Sequence, residues 1–381
     1  MPHIILAVTN DLLTDQRVDR SCKALLEAGY AVTLVGRRLP ESHEMDVRGY
    51  KTLRMRLLFR SSALFYAEYN LRLFLRLMLS RADAFYANDT DTLLACCLAA
   101  KLRGKRLFFD AHELFPEVPE LVGKPQIQRV WRWVEKTCLK HVDVSFTVCQ
   151  SVADEYRKRY GVEMNVLRNL PERNLSDAKY RQTAENTILY QGAVNVGRGV
   201  RELIDAMQFL PSCQLLVAGD GDIKAELQTY ASMQPWTDRV RFLGRVAPAQ
   251  LRELTVKADL GVCLLEDMGL NYRYSLPNRI ADFAQAGVPI LATDFVEIRR
   301  VIKRYGTGQL TEPCPKIKSG EAYQAYIRAL ADTIQSTLQY WHNMDSEQRR
   351  QIFAQAGEEL CWDKEKVILK SAVSAALPSK P

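Results

Sequence analysis

An alternation of short apolar runs and amphipathic segments starts at the first residues, begins again near the middle, and constrains this chain more than anything else in it. Residues 3–9 are an apolar run, apolar residues recur at helical spacing from Val18 to Leu26, Gly29 follows as a helix cap, and residues 31–36 are apolar again. Strand, helix and strand within about 35 residues make a βαβ unit, which implies a parallel sheet with right-handed crossovers. The pattern predicts further strands at 84–88, 106–110, 142–148 and 165–168, and helices at 92–102, 126–140 and 152–160.

Residues 169–186 are polar, carry Pro171 and lack periodicity, as a linker would. A second series then runs through strands at 187–192, 214–218, 240–243, 260–265 and 288–292. Helices are expected between them at 199–208, 222–231, 248–256, 277–286 and 296–303. The expected division is a first α/β domain at 1–170, a linker at 171–186, a second α/β domain at 187–360 and a C-terminal helix at 361–381. Each half is long enough to bury its own core. In doubly wound sheets, ligands bind at the carboxyl ends of the strands.

Composition narrows the classes. Nine cysteines without C-x-x-C pairs fit buried thiols in a reducing compartment, and five histidines show no zinc-ligand spacing. The opening apolar run lacks a basic leader and is interrupted by Asn10 and Asp11, so it reads as a strand in a cytoplasmic chain. No window reaches the roughly 18–20 apolar residues of a membrane-spanning helix. A net charge of +7 asks for an anionic partner without choosing among nucleotide phosphates, lipid headgroups and nucleic acid.

Three segments carry chemistry. In Leu215-Leu-Val-Ala-Gly219-Asp220-Gly221-Asp222, a strand runs into glycines and a helix, leaving free amides that suit an anion. A plain tight turn explains it equally well, and the turn accounts for Asp220 and Asp222 better than a metal pair does. In Gly192-Ala-Val-Asn-Val-Gly197-Arg198-Gly199, a cation precedes a helix, as a diphosphate leaving group requires; the alternative is an arginine on a solvated turn. In Ser275-Leu276-Pro277-Asn278-Arg279, a loop enters a helix with Pro277 expected in its first turn, and Asp282 follows as an acceptor for ribose hydroxyls.

Taken in order, these segments resemble the retaining glycosyltransferases of the GT-B fold, family 4 with a group 1 C-terminal domain. The resemblance also covers Asn10 and the run from Asp15 to Arg20, the Asp110-Ala-His112-Glu113 loop, Gly244, and Gly287-Val-Pro289. It implies two Rossmann-like domains facing a central cleft, with a nucleoside-diphosphate sugar bound by the C-terminal domain and the acceptor by the N-terminal one. It implies that the C-terminal helix packs back across the domain boundary. By position, Arg198 would contact the donor diphosphate, and Ser275, Leu276, Pro277, Asn278 and Arg279 would hold phosphates. Asp282 would contact the ribose, Gly192, Gly197, Gly219, Asp220 and Gly221 would line the donor seat, and Gly244 and Val246 would hold the base. His112 would lie close to the transferred sugar or serve only as a loop hydrogen-bonder. Asn10, Asp11, Arg17 and Glu113 would lie on the acceptor side. Catalytic roles would fall to His112, Arg198 and Asp282, with no metal and no other cofactor.

Two departures mark a divergent branch. Tyr274 stands where the family's first glutamate of E-x7-E is expected, with Asp282 at the second, and Thr9-Asn10-Asp11 replaces a glycine-rich loop. The resemblance implies metal-independent transfer with retention, to a glycan or lipid-linked acceptor in cell-surface polysaccharide or glycoconjugate synthesis. A sugar-nucleotide-binding scaffold and a nucleotide-sugar epimerase are the alternatives; no nucleic-acid module is present. Residues 51–81 carry seven basic residues against Glu68 alone. The helix expected between Leu64 and Leu79 fits either an anionic membrane surface, which would make the protein peripheral on the inner face of the plasma membrane, or a buried crossover helix with one solvated edge.

Overall fold

A computed structural model describes residues 1–13, 15–173 and 186–378. Most of the expected 171–186 linker lies outside the described residues. Packing divides the described chain into two units, Met1–Asn169 with the segment from Lys364 on, and Leu170–Asp363.

The first unit runs β1 (His3–Asp11), α1 (Gln16–Glu27), β2 (Ala31–Arg38), β3 (Lys51–Arg56), α2 (Ser62–Leu79), β4 (Ala84–Asn88), α3 (Thr90–Arg103), β5 (Arg106–Ala111), α4 (Pro125–Cys138), β6 (Val144–Thr147), α5 (Gln150–Tyr160) and β7 (Asn165–Val166). Its seven strands are ordered β3-β2-β1-β4-β5-β6-β7 and pair in parallel. All five residues of β4 are buried, as expected of a central parallel strand covered on both faces. The chain order reverses between β1 and β4, and that reversal is the switch point where ligands of such sheets bind.

The second unit runs β8 (Asn186–Gln191), α6 (Val200–Ala206), β9 (Cys213–Ala218), α7 (Lys224–Ser232), β10 (Val240–Gly244), α8 (Pro248–Val256), β11 (Leu260–Cys263), α9 (Leu270–Arg273), α10 (Arg279–Gln285), β12 (Ile290–Thr293), α11 (Val296–Tyr305), β13 (Gly308–Thr311), α12 (Gly320–Asn343) and α13 (Ser346–Glu359). The order β10-β9-β8-β11-β12-β13 puts its switch point between β8 and β11. The last helix, α14 (Trp362–Ala376), belongs from Lys364 on to the first unit. There the buried Glu365 accepts from the Arg168 guanidinium at 2.6 Å and from its backbone N–H at 2.7 Å, and Tyr30 donates to the Leu377 carbonyl at 2.6 Å.

Two strands escape the sequence pattern, β3 (Lys-Thr-Leu-Arg-Met-Arg) and β13 (Gly-Gln-Leu-Thr). Both are edge strands, half-solvated and short on β-branched residues, so neither shows a buried apolar run. The strand β3 also takes Lys51, Arg54 and Arg56 out of the basic stretch that leads into α2. Near Pro277 the helix starts later than expected: α10 begins at Arg279 with Asn278 as its N-cap, so Pro277 precedes the helix instead of occupying its first turn.

Candidate functional site

At the carboxyl edge of the first sheet, Asp110 is the penultimate residue of β5, and its side chain is fully buried. Burial alone would make its carboxylate costly, and Arg17, reaching in from α1, offsets that cost. The guanidinium donates twice, from Nη2 to Oδ1 at 2.6 Å and from Nε to Oδ2 at 3.2 Å. Burial opposes ionisation, yet Arg17 and His112 outweigh it and hold the Asp110 carboxyl well below its usual range. One Arg17 nitrogen, Nη1, is buried without a hydrogen-bond partner.

His112 follows β5 and lies between two carboxylates. Its Nε2 is 3.4 Å from Asp110 Oδ2, its Nδ1 is 3.3 Å from Asp89 Oδ2, and its backbone N–H donates to Asp89 Oδ1 at 2.7 Å. Asp89 lies at the switch point, with its backbone at φ 61°, a left-handed conformation that costs an L-residue about 1–3 kcal/mol. Next to it Asp91, also buried, accepts from the Thr9 hydroxyl at 2.5 Å, and burial with the neighbouring Asp89 pushes its carboxyl up to about 7. Burial likewise pushes the Asp89 carboxyl up, against the opposing pull of His112. For His112, burial favours the neutral ring, but Asp89 and then Asp110 outweigh it and raise the pKa to about 9.

The sign of that shift gives an expected outcome. The folded value lies above the ordinary 6.5, so the stabilisation from cationic His112 is complete below pH 6.5 and is lost as pH rises through about 9. Proton NMR of the ring, assigned by comparison with His112→Asn, should show a midpoint near 9. A midpoint near 6.5 would remove the two-carboxylate account.

The other residues expected on this side are not gathered around His112. Asn10 donates to Asp15 at 2.6 Å. Asp11 faces Arg54 at 3.4 Å and accepts from Ser42 and from the Leu39 and Leu13 amides, so it ties down the ends of β1, β2 and β3. Glu113 is half-buried beside His112. Asp89 was not legible as a site residue, because a carboxylate before a helix reads as an ordinary N-cap. Its side chain makes no cap hydrogen bond here.

In the second unit, β8 and β9 end together. The Gly192 N–H donates to the Ala218 carbonyl at 3.0 Å, and a Cβ on Gly219 would come within 1.8 Å of the Gly192 carbonyl oxygen. Only glycine fits at 219. Asp220 is held by Lys224 at 3.0 Å and by the Gly221 N–H, and Asn195 accepts from the Asp222 N–H at 3.1 Å, so this segment is a braced turn. Gly244 ends β10 at φ +66°, and Val246 packs on the core beyond it.

Two arginines flank this edge. The Arg198 guanidinium lies 5.0 Å from the Tyr272 ring centre, and its Nε is buried without a hydrogen-bond partner. Arg279, at the start of α10, is 8% exposed and lies 4.6 Å from the Tyr190 ring centre, so close to Gly192 that a Cβ there would meet its Nη2 at 2.8 Å. Its Nη1 has no partner, and no described ion pair reaches it. Burial raises the pKa of the Cys263 thiol at the end of β11, against the opposing pull of Arg279 and Arg198. Beside them Gln191 donates to Asp282 at 3.3 Å and accepts from Thr255 at 2.8 Å, orienting the Asp282 carboxylate. Ser275 donates to the Tyr272 carbonyl at 2.8 Å, and Leu276 packs into the core. Gly197 packs so tightly against Met268 and Tyr272 that any side chain would collide. The sequence offered Arg279 as one residue of a loop; its burial without an ion-pair partner among the described residues is visible only in three dimensions.

Among the described residues, no group of three or more His, Cys, Asp or Glu is arranged to hold a metal ion.

Comparison with known proteins identifies the family and the fold. Residues 15–169 match the model of Glycosyltransferase Family 4, and residues 185–333 match that of Glycosyl transferases group 1. No curated protein sequence matches. Among solved structures, sucrose-phosphate synthase from Thermosynechococcus elongatus is 18% identical, with a TM-score of 0.76 over 98% of this chain and 99% of that one. A glycosyltransferase from Rickettsia africae gives 12% identity and a TM-score of 0.75 over 100% and 99%. HepE from Anabaena, in complex with UDP-glucose, gives 15% and 0.70 over 98% and 100%. At such identities the likeness establishes the fold, which is GT-B, while the two family models, in order and covering most of the chain, establish the lineage. The chain belongs to the GT-B glycosyltransferases, family 4 in its first half and group 1 in its second.

Proposed function

We propose that this glycosyltransferase is a retaining, metal-independent enzyme that moves a hexosyl group from a nucleoside-diphosphate sugar to a glycan or lipid-linked acceptor. The observation that carries this reading is the pair Arg198 and Arg279 at the switch point of the second sheet, each on a tyrosine face and each with a buried nitrogen lacking a partner. Two fixed cations at a glycine-lined sheet edge suit a diphosphate, and Asp282, held by Gln191, suits ribose hydroxyls. The Anabaena relative was solved with UDP-glucose, which supports a donor of this class.

In this reaction the bond from the anomeric carbon to the diphosphate oxygen breaks, and a bond to the acceptor oxygen forms on the same face. The acceptor proton passes to the departing phosphate. Arg198 and Arg279 carry the charge that develops on the leaving group. No protein nucleophile is assigned. In the first unit, Asp89 holds cationic His112, and this pair is available to an acceptor hydroxyl. The setting is the cytoplasm, against the inner face of the plasma membrane, with part of residues 51–81 in contact with it; the products serve cell-surface polysaccharide or glycoconjugate synthesis. No described helix is long and apolar enough to cross a membrane.

Incubation with candidate donors and EDTA, followed by NMR of the anomeric proton at early times, tests the reading. Release of sugar, or its transfer, with the donor's own anomeric configuration is expected. Release with the opposite configuration would overturn retention, and turnover that stops with EDTA would overturn metal independence.

A further inference from the structure

We infer that Lys318 is a positioning residue for the donor: by neutralising Glu202 and Glu266, which lie in the two segments bracing Arg198, it keeps the diphosphate seat cationic. The inference rests on the donor site proposed above. Arg198 lies in the short run Gly197-Arg198-Gly199 between β8 and α6. One bracing segment is α6 itself, where Glu202 stands one helical turn beyond Arg198 and is 1% exposed. The other joins β11 to α9. It packs so closely that a Cβ on Gly199 would come within 2.6 Å of the Leu264 carbonyl oxygen, and the Glu266 N–H donates to the Gly197 carbonyl at 3.0 Å. Each segment thus brings a carboxylate next to a site that has to accept the negative charge of a diphosphate. Uncompensated, both would oppose that charge.

Lys318, in the segment between β13 and α12, answers both of them. Its Nζ is 2.8 Å from Glu202 Oε1 and 2.8 Å from Glu266 Oε1. Among the described residues, neither carboxylate has an ion pair with a second cation. The Cys314 thiol donates to Glu202 Oε1 at 3.4 Å; burial and then Glu202 raise the pKa of that thiol, so it stays a neutral donor. The other oxygen, Glu202 Oε2, is buried without a hydrogen-bond partner. Glu202 therefore depends on Lys318 for its counter-charge, and in a low-dielectric interior an uncompensated carboxylate is costly and its field carries further than in water. Burial opposes the Lys318 charge too, yet Glu202 and Glu266 outweigh it and raise its pKa, so the cation is kept.

With two carboxylates already on its ammonium group, Lys318 is a poor direct ligand for a further anion. Its effect on the diphosphate passes through Glu202 and Glu266. A residue that only tied the β13–α12 segment down would affect the melting temperature and leave nucleotide affinity indifferent to which charges remain. An electrostatic role makes the opposite demand: removing the buried carboxylate together with the lysine should undo the damage, because replacing both members of a buried pair is far cheaper than stranding one.

The test is calorimetric titration of the full chain with whichever of UDP, GDP, ADP and dTDP the wild type binds best, together with donor kinetics. Lys318→Met should weaken binding about tenfold and raise the donor KM to match, with kcat within about three-fold of wild type. Lys318→Arg keeps the charge and should bind within about three-fold of wild type. Lys318→Met/Glu202→Gln should recover most of the lost affinity. Glu266→Gln changes the more exposed partner, leaves the fold intact and should tighten binding about two-fold or more, so the test does not depend on Lys318→Met folding. Wild-type affinity in a folded Lys318→Met, no recovery in the double variant, or unchanged affinity in Glu266→Gln would overturn the inference. If the wild type binds none of the four, the donor reading itself fails; if it binds and the variants match it, only the role of Lys318 does.

Discussion

Arg279→Met should cut donor turnover by about 10²–10³-fold without destabilising the protein. An arginine that is 8% exposed, with an unpartnered Nη1 and no carboxylate in ion-pair contact, is a stability liability in the unliganded fold. Desolvating the charge costs several kcal/mol, and stacking on Tyr190 returns part of that. Its pKa is nonetheless raised: burial opposes the charge, while Tyr190, Cys263 and Asp282 favour it, so the cation persists. Methionine keeps much of the volume and removes the charge, so the melting temperature should stay level or rise. If the diphosphate completes the missing hydrogen bonds, the same change removes one of two charges stabilising the leaving group, and kcat/KM should fall by about 10²–10³-fold. A large loss of stability with kcat/KM within a few-fold of wild type would mark Arg279 as a structural residue instead.

Asp110→Asn should have the largest effect on stability of any single change considered for the first unit. Arg17 is 4% exposed and depends on this carboxylate, so the variant strands a buried guanidinium at a cost of roughly 3–5 kcal/mol. The sign of the pH effect follows from the depressed carboxyl. Its contribution is present above the ordinary value of 3.8 and lost as pH falls below it, so the variant should lack part of the wild-type acid transition. Removing one of the two carboxylates also lowers the pKa of His112. Arg17→Met/Asp110→Leu should recover part of the loss, because replacing both members of a buried pair is far cheaper than breaking it. Urea melts of the three proteins check the ordering, and an Asp110→Asn variant as stable as wild type would contradict it.

The parts of the fold that were legible in the sequence are those set by central strands. Runs such as Ala-Phe-Tyr-Ala before Asn88 and Ile-Leu-Ala-Thr after Pro289 are apolar on both faces because helices cover both sides of the sheet, and glycines such as Gly29 mark the ends of helices. The edge strands β3 and β13 lacked that signal, since half of each faces solvent. In the site, Gly219 and Arg198 could be singled out by order and spacing along the chain. Asp89 could not, and Arg279 stood out only as one residue of a phosphate-holding loop. The meaning of Asp89 comes from a left-handed backbone and from His112, and that of Arg279 from burial without an ion-pair contact; both depend on what lies across the sheet edge. For α2, the polar residues Glu68, Arg72 and Arg76 recur every fourth position, and periodicity alone leaves open whether the leucines beside them are buried. The structure divides them, Leu73 and Leu77 inward and Leu71, Leu75 and Leu79 outward.

The most direct test of the central claim is calorimetric titration of wild type, Arg198→Ala and Arg279→Met with UDP, GDP, ADP, dTDP and CMP in the presence of EDTA. One nucleoside diphosphate should bind wild type, and its affinity should fall at least tenfold in each variant while both remain folded. Failure of every nucleotide to bind, or equal affinity in all three proteins, would contradict a donor site built on these two arginines.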